Sequence, residues 1–232
     1  MFLYRKKNVD VFFACHYPVV LDVVRKLKKL EKYLYFFNFQ YFITTEGVIG
    51  LIEGEAIDYK NDFNIIKASD ELFDFSRYND FLKISEKTSI TLMINDTLGK
   101  GRKFNWGLGI YLYLSFLLVH IRLFHIAAPL DRDNHRAWIC PYFIMGRTSE
   151  LQALNWFDWE LAESKLLVDE LENIETWLNK NWRSRHVSSI KKREVKKKTL
   201  ILERALMCSL KPNKWIFAFS KRNLFRALNR FV

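Results

Sequence analysis

The sequence predicts an α/β fold, a sheet flanked by helices with a basic helical extension at the C-terminus, and three observations carry that reading. Val9-Asp10-Val11-Phe12-Phe13-Ala14-Cys15 is a short apolar run of the kind a sheet buries, and His16-Tyr17-Pro18 ends it before a helical pattern starts at Val19. Ile90 to Ile94 is a second such run, and it delivers Asn95, Asp96 and Thr97 into the glycine-punctuated basic turn Leu98 to Arg102. The third observation is charge: the net charge is +11, yet residues 180–230 hold 16 Lys/Arg against only Glu194 and Glu203. The residues before Lys180 carry 21 Lys/Arg against 24 Asp/Glu, so the basic character belongs to the C-terminal quarter. The expected organisation is an α/β domain over residues 1–179 and a basic amphipathic helical tail over residues 180–232.

Between Val19 and Tyr33, Val20, Val23, Val24, Leu27 and Leu30 recur at three- and four-residue steps, while Arg25, Lys26, Lys28 and Lys29 take the other face. This is an amphipathic helix with a solvated basic side. A second strand is expected over Tyr33 to Thr44, with Thr45-Glu46-Gly47 as its exit turn. Asp70 to Lys83 carries Phe73, Phe75, Tyr78 and Phe81 at irregular period, which suits a loop entering a short helix before the Ile90 strand. Gly107 to Phe124 is strongly apolar, but His120 and Arg122 interrupt it and a spanning helix needs about 20 predominantly apolar residues. A core helix, or one lying on a membrane surface, is expected instead. Further on, Pro129 to Asn134 reads as a polar loop and Ala137 to Met145 as an apolar strand interrupted at Pro141. Thr148 is placed to cap a helix running towards Asn155, and Leu161 to Trp182 has the pattern of a longer amphipathic helix.

A chain of 232 residues can bury one sizeable core. Cys15, Cys140 and Cys208 have no metal-like spacing and leave an odd thiol, which argues against a disulfide scaffold and for a reducing compartment. Met1 to Lys7 lacks the apolar core of a secretory signal, so a cytoplasmic location is expected. His120 and His125, five apart, do not share a helical face as a metal pair would. No Gly-rich nucleotide loop of the usual kinds, serine nucleophile elbow or zinc motif is present in the sequence.

Side chains at the carboxyl end of a strand in an open α/β sheet stand where ligands bind, which makes Asn95, Asp96 and Thr97 site candidates. The same three residues before Gly99 are also good turn chemistry, because Asn and Asp bond their own backbone. Three segments in order, Phe73-Asp74-Phe75-Ser76-Arg77-Tyr78-Asn79-Asp80, Ile94-Asn95-Asp96-Thr97-Leu98 and Ile139-Cys140-Pro141-Tyr142-Phe143-Ile144-Met145, resemble small glycosyltransferase-like proteins of bacterial surface polysaccharides, including the rhamnan-synthesis type. The similar stretch covers about residues 9 to 160.

That resemblance implies a Rossmann-like sheet related to the GT-A arrangement, with an activated, phosphate-bearing sugar donor at the carboxyl ends of the strands. The implied activity is transfer of the sugar to a lipid-linked glycan in the assembly of a cell-surface polysaccharide such as O-antigen or capsule. On it, Asp96 is a candidate catalytic residue that holds a divalent cation or a sugar hydroxyl, and Lys100 and Arg102 neutralise the charge that builds on the departing phosphate. The metal-binding Asp-x-Asp of GT-A enzymes is absent at Asn95-Asp96-Thr97, which leaves open whether Mg or Mn is needed. Asp131-Arg132-Asp133 has that carboxylate spacing beside His135; Asp133 is a candidate base or metal ligand, against the plainer reading of a salt-bridged loop. His16 and Tyr17 either contact the base and sugar of a donor or close the loop before Pro18. Ser76, with Tyr78 and Asn79, offers groups that read sugar hydroxyls, whereas Tyr142 is expected in the core.

The tail interleaves basic and aromatic residues. In Lys221 to Phe231, Leu224, Phe225, Leu228 and Phe231 share one helical side while Arg222, Arg226 and Arg230 share another, the composition of an interfacial helix on anionic lipid. Each cation near such a surface contributes about 1 kcal/mol, so the tail is expected to hold the protein at the inner face of a membrane. The alternative is a non-catalytic basic protein that binds nucleic acid or membrane. Nucleic acid ranks lower, because the charge is segregated from the body and no nucleic-acid fold signature appears.

Overall fold

The computed structural model describes residues 6–14, 20–45, 49, 63–87, 89–95, 106–132, 137–181, 187–210 and 216–220. In chain order its elements are β1 (Lys7–Ala14), α1 (Val20–Glu31), β2 (Phe37–Thr44), β3 (Asn64–Ile66), α2 (Asp74–Ile84), β4 (Ile90–Asn95), α3 (Trp106–His120), β5 (Ile126–Arg132), β6 (Ala137–Ile139), β7 (Phe143–Arg147), α4 (Thr148–Gln152), α5 (Trp159–Glu163), α6 (Val168–Asn181), α7 (Val187–Ala205), a 3-10 turn (Leu206–Ser209) and β8 (Ile216–Ser220). The eight strands form one sheet in the order β3-β2-β1-β4-β7-β5-β6, with β8 also on β5.

Pairing divides the sheet in two. β3, β2, β1 and β4 are parallel neighbours, and β7 then enters antiparallel between β4 and β5. β7 and β6 take successive stretches of one edge of β5, Ile126-Ala127 and Leu130–Arg132, and β8 runs parallel along Ile126–Leu130 on the other edge. Two reversals in a row leave β5 pointing the same way as β4. The chain therefore leaves β1, β4 and β5 at the same edge of the sheet.

Alternation along β1 builds a core on each face. Val9, Val11 and Phe13 pack with Val23, Val24 and Leu27 of α1 and with Leu108, Leu112 and Phe116 of α3. Phe12 and Ala14 face Phe75, Tyr78 and Phe81 of α2, Ile174 and Leu178 of α6, and Ile201 and Leu202 of α7. A sheet covered on both faces explains why β1 and β4 read as continuous apolar runs. The result is the expected α/β class, a Rossmann-like sheet flanked by helices.

Several elements differ from their expected form, each for a local reason. α2 is a full helix of 11 residues, and its period looked irregular because Phe75, Ser76, Arg77 and Tyr78 are all buried in succession. α3 puts Leu108, Tyr111, Leu112, Phe116 and Val119 against the sheet, and among the described residues no helix is long and apolar enough to cross a membrane. Thr148 is the first helical residue of α4 and not its cap: its hydroxyl donates to the Ser89 carbonyl at 2.9 Å and lies 2.9 Å from Thr91 Oγ1, sealing β4 to α4. The expected helix over 161–182 is two, α5 and α6. Asp158 caps α5 by accepting from the Leu161 N–H at 2.9 Å, and Glu170 accepts from the Leu167 N–H at 2.7 Å where α6 begins.

The larger correction concerns β5 and β8. Pro129, Leu130, Asp131 and Arg132, expected in a polar loop, are the second half of β5. Pro129 has no N–H to give, but its carbonyl accepts from the Cys140 N–H at 2.8 Å. Ile126, Ala127 and Ala128 are fully buried ahead of it, and Gly146 of β7 lets the backbone pass where an added Cβ would stand 3.0 Å from the His125 carbonyl and 3.1 Å from Leu151. Residues 187–220, expected as part of a helical tail, supply a helix to one core and a strand to the sheet. Their cations are partly spent on the body. Arg193 and Lys197 each reach Glu175 of α6 at 2.7 Å, Lys198 lies 4.3 Å over the Trp159 ring, and Arg204 lies 3.7 Å over Trp138. The interfacial pattern of 221–231 lies outside the described residues.

Candidate functional site

Of the described strands that end at the carboxyl edge, β1, β4 and β5 close at Ala14, Asn95 and Arg132. Ala14 and Asn95 are register partners. His16 and Tyr17, Asp96, Thr97, Lys100 and Arg102, and Asp133 follow these three ends in sequence and lie outside the described residues. Asn95 and Ser76, with Tyr78 and Asn79 beside Ser76, are the expected site residues that fall within the described structure.

Asn95 is the closing residue of β4 and is only 6% exposed. Its main-chain N–H donates to the Tyr142 carbonyl at 3.1 Å, which extends the β4–β7 ladder by one bond. Its side-chain amide donates to Asp74 Oδ2 at 2.7 Å. Asp74 opens α2, where the helix dipole favours a carboxylate. Nearby, the Tyr78 hydroxyl donates to the Pro141 carbonyl at 2.8 Å. Segments 73–80, 94–98 and 139–145 are far apart in sequence, and their described parts meet here through three hydrogen bonds.

The turn that presents Asp74 is strained. Phe73 has φ 50° and ψ −131°, a conformation that a bulky L-residue adopts only when its surroundings enforce it, at a cost of about 1–3 kcal/mol. The enforcement comes from Ser76. Its hydroxyl oxygen lies 2.9 Å from the carbonyls of both Ser69 and Phe73, which share its single proton, and accepts from the Leu72 N–H at 3.1 Å, in a fully buried position. Ser76 is therefore corrected from a sugar-reading hydroxyl to a turn-fixing one, because main chain occupies its bonding positions. Arg77, also fully buried, reaches Asp70 at 3.0 Å and ties the same turn down. Tyr78 is likewise buried, and Tyr142 lies in the core at 5% exposure, as expected.

The sequence reading missed Asp74 as a partner of Asn95, although a carboxylate at the first position of a helix was the available signal. It also placed Asp131 in a loop, whereas Asp131 is a strand residue paired with Trp138. His120 is packed edge-on to Phe37 with centroids 5.2 Å apart, and burial pushes its imidazole towards the neutral form, with Arg147 and Lys7 adding to the effect. Among the described residues no three His, Cys, Asp or Glu side chains converge to hold a metal ion.

A polar hollow of about 210 Å³ lies beside the parallel strands between Asn8, Asp10 and Gln40 and the end of α2 at Ser85 and Glu86. Asp10 is 5% exposed there, and its carboxyl is pushed up to about 6, first by burial and then by Glu86, against a smaller opposing effect of the Ser89 hydroxyl.

No family model and no curated protein matches the sequence. Among solved structures, the chain is similar to a 4-diphosphocytidyl-2C-methyl-D-erythritol synthase from Anaerococcus prevotii at a TM-score of 0.40 and 8% identity, over 97% of this chain and 96% of that one. A likeness of that depth does not extend to chemistry.

Proposed function

We propose that this protein is a glycosyltransferase of cell-surface polysaccharide assembly, of the kind its motifs resemble, moving a sugar from an activated phosphate-bearing donor to a lipid-linked glycan. The observation that carries the reading is the meeting of the three motif segments at the carboxyl edge, joined by Asn95 to Asp74, Asn95 to Tyr142 and Tyr78 to Pro141. Asn95 and Asp74 act as a brace that holds the exit of β4, from which Asp96, Thr97, Lys100 and Arg102 follow. A fixed strand end is what a transfer site needs, because catalytic groups must be held within a fraction of an ångström.

In this reading an acceptor hydroxyl oxygen bonds to the anomeric carbon as the bond from that carbon to the donor phosphate breaks. The hydroxyl proton passes to a carboxylate, Asp133 or Asp96. The electron pair leaves with the phosphate and is met by Lys100 and Arg102. Asp74 directs Oδ2 at the Asn95 amide, and Asp96 and Asp133, the carboxylates that would hold Mg or Mn if the reaction uses one, lie outside the described residues. His16 and Tyr17 are assigned to the donor's base and sugar, and the basic C-terminal segment to an anionic membrane surface on the cytoplasmic side.

The test is incubation of the full chain with a panel of activated sugars, including nucleotide sugars and phosphoribosyl diphosphate, with and without divalent cation. Donor turnover is expected, and Asp96→Ala should reduce it by at least about 100-fold while leaving the thermal midpoint nearly unchanged. A large drop in the midpoint of that variant would assign Asp96 to turn formation. Silence with every donor, in both transfer and hydrolysis, counts against the enzyme.

A further inference from the structure

The opposite edge of the sheet, where the parallel strands begin, carries a feature that sugar transfer at the carboxyl edge leaves unused. α3 ends there at His120, and the chain turns back through Arg122, Leu123 and Phe124 into β5. The turn is a Schellman-type helix end: the Arg122 N–H donates to the Val119 carbonyl at 3.3 Å and the Leu123 N–H to the Leu118 carbonyl at 3.0 Å. The residue at its left-handed position is almost always glycine. Here it is Arg122, at φ 65°.

Beside Arg122 is an open hollow of about 400 Å³ lined by Arg122, Phe124, His125, Arg147, Ser149 and Glu150. A second set of cations stands close by. Lys7 and Arg147 are each pushed towards the neutral form, first by burial and then by neighbouring positive charge, Arg147 and Arg122 on Lys7 and Arg122 on Arg147. Glu150 acts the other way on Arg147, and it is the carboxylate lining the hollow. Among the described residues, Lys7, Arg122 and Arg147 make no ion pair.

Helix capping accounts for one of these cations. Arg147 Nη2 donates to the His120 carbonyl at 3.0 Å, where a helix C-terminus favours positive charge. It does not account for Arg122, whose backbone conformation glycine would adopt without strain and whose side chain adds repulsion to Arg147 and Lys7. A guanidinium kept at such a position, sharing the wall of a solvent-open hollow with the guanidinium of Arg147, is suited to an anion that bonds several donors at once.

We propose that this hollow at the amino ends of the strands, lined by Arg122, Arg147, His125 and Ser149 with Phe124 and the single carboxylate of Glu150, binds a phosphate group. The phosphate belongs either to a small phosphorylated solute or to a lipid headgroup. Ile121 and Leu123, on either side of Arg122, are 64% and 56% exposed and would enter the apolar layer in the second case. The site is independent of the transferase reading, since none of its residues belongs to the carboxyl edge.

Arg122→Gly is the informative variant, because it removes the charge while improving the backbone. The full chain is titrated with inorganic phosphate against chloride at equal ionic strength, following thermal stabilisation, and separately floated with phosphatidic acid vesicles against phosphatidylcholine vesicles. Arg122→Gly is expected to unfold at a higher temperature without ligand yet to bind at least tenfold more weakly in one arm. Ser149→Asp, which places a negative charge in the hollow, should weaken the same arm. The basic C-terminal segment is common to all variants, so differences between them report on the hollow. Loss with free phosphate identifies a solute; loss on vesicles alone, shared by Leu123→Ser, identifies a headgroup. Equal binding by the parent and both variants in both arms overturns the proposal.

Discussion

The half of the sheet that runs β3-β2-β1-β4 is parallel throughout, with β1 and β4 buried almost end to end, whereas the half built from β5 to β8 mixes parallel and antiparallel pairs and carries Pro129, Asp131, Arg132 and Gly146 within its strands. The first half is stabilised by composition: a strand with a core on each face has to be apolar at nearly every position, and that is visible locally. The second half is stabilised by partners. β5 is a strand because β7, β6 and β8 occupy both of its edges, and β8 comes from residues 216–220. Local sequence therefore described β1 and β4, and β6 with most of β7 as one interrupted strand, and concealed the second part of β5 and all of β8.

The largest expected effect tests whether the C-terminal segment belongs to the fold. Leu202 of α7 is fully buried in the core that also holds Phe12, Ile126 and Ile174. Leu202→Ala should cost about 2–5 kcal/mol, read as a fall in the urea midpoint at unchanged slope. A detached basic tail would tolerate the change within about 0.5 kcal/mol, and that outcome would detach α7 from the second half of the molecule.

Asn95 sits on the seam between the halves, bonded to β7 through its main chain and to α2 through its amide. Asn95→Leu keeps the approximate volume and leaves the Asp74 carboxylate without that donor. A loss of about 1.5–3 kcal/mol is expected, the range for a hydrogen bond to a charged group. Asp74→Asn should recover part of it in the double variant, because a neutral amide tolerates the missing partner better than a carboxylate. Equal losses in the single and double variants would mean that the two residues do not act as a pair.

How far the site could be read follows the same division. The strand end at Asn95 was legible because β4 is apolar up to that residue and polar immediately after it. Its brace was not, since Asp74 comes from a helix whose period is blurred by burial on several sides. Ser76 was misassigned because a serine between aromatics looks the same in sequence whether its hydroxyl faces a ligand or, as here, two carbonyls and an N–H. Arg122 gave no signal at all. A left-handed residue is recognisable from sequence when it is glycine, and here it is arginine.

Asp10 is the polar exception within the apolar half, and it makes that half sensitive to pH. Its carboxyl is pushed from 3.8 up to about 6 in the fold, so between those values the folded chain holds a proton that the unfolded chain has released. Stability should therefore fall as pH rises through that window and level off above it. Asp10→Asn cannot ionise. It is expected to exceed the parent by on the order of 1 kcal/mol at pH 7–8, a figure reduced for water reaching the hollow, and to match it below pH 4. A stability difference that is constant from pH 3 to pH 8 would show that ionisation of Asp10 is not what the fold opposes.

The smallest effect separates backbone from charge at the amino edge. Arg122→Gly is expected to raise stability by about 0.5–1 kcal/mol, because glycine adopts φ 65° without the strain that a Cβ brings. Arg122→Ala removes the same charge and keeps the Cβ. If strain is the main cost of Arg122, the alanine variant should stay within about 0.5 kcal/mol of the parent and well short of the glycine variant. If repulsion from Arg147 and Lys7 is the main cost, both variants should gain alike, and the gap between parent and variants should shrink as salt screens the charges. The first outcome would mean that the turn tolerates a strained arginine for what its side chain does in the hollow.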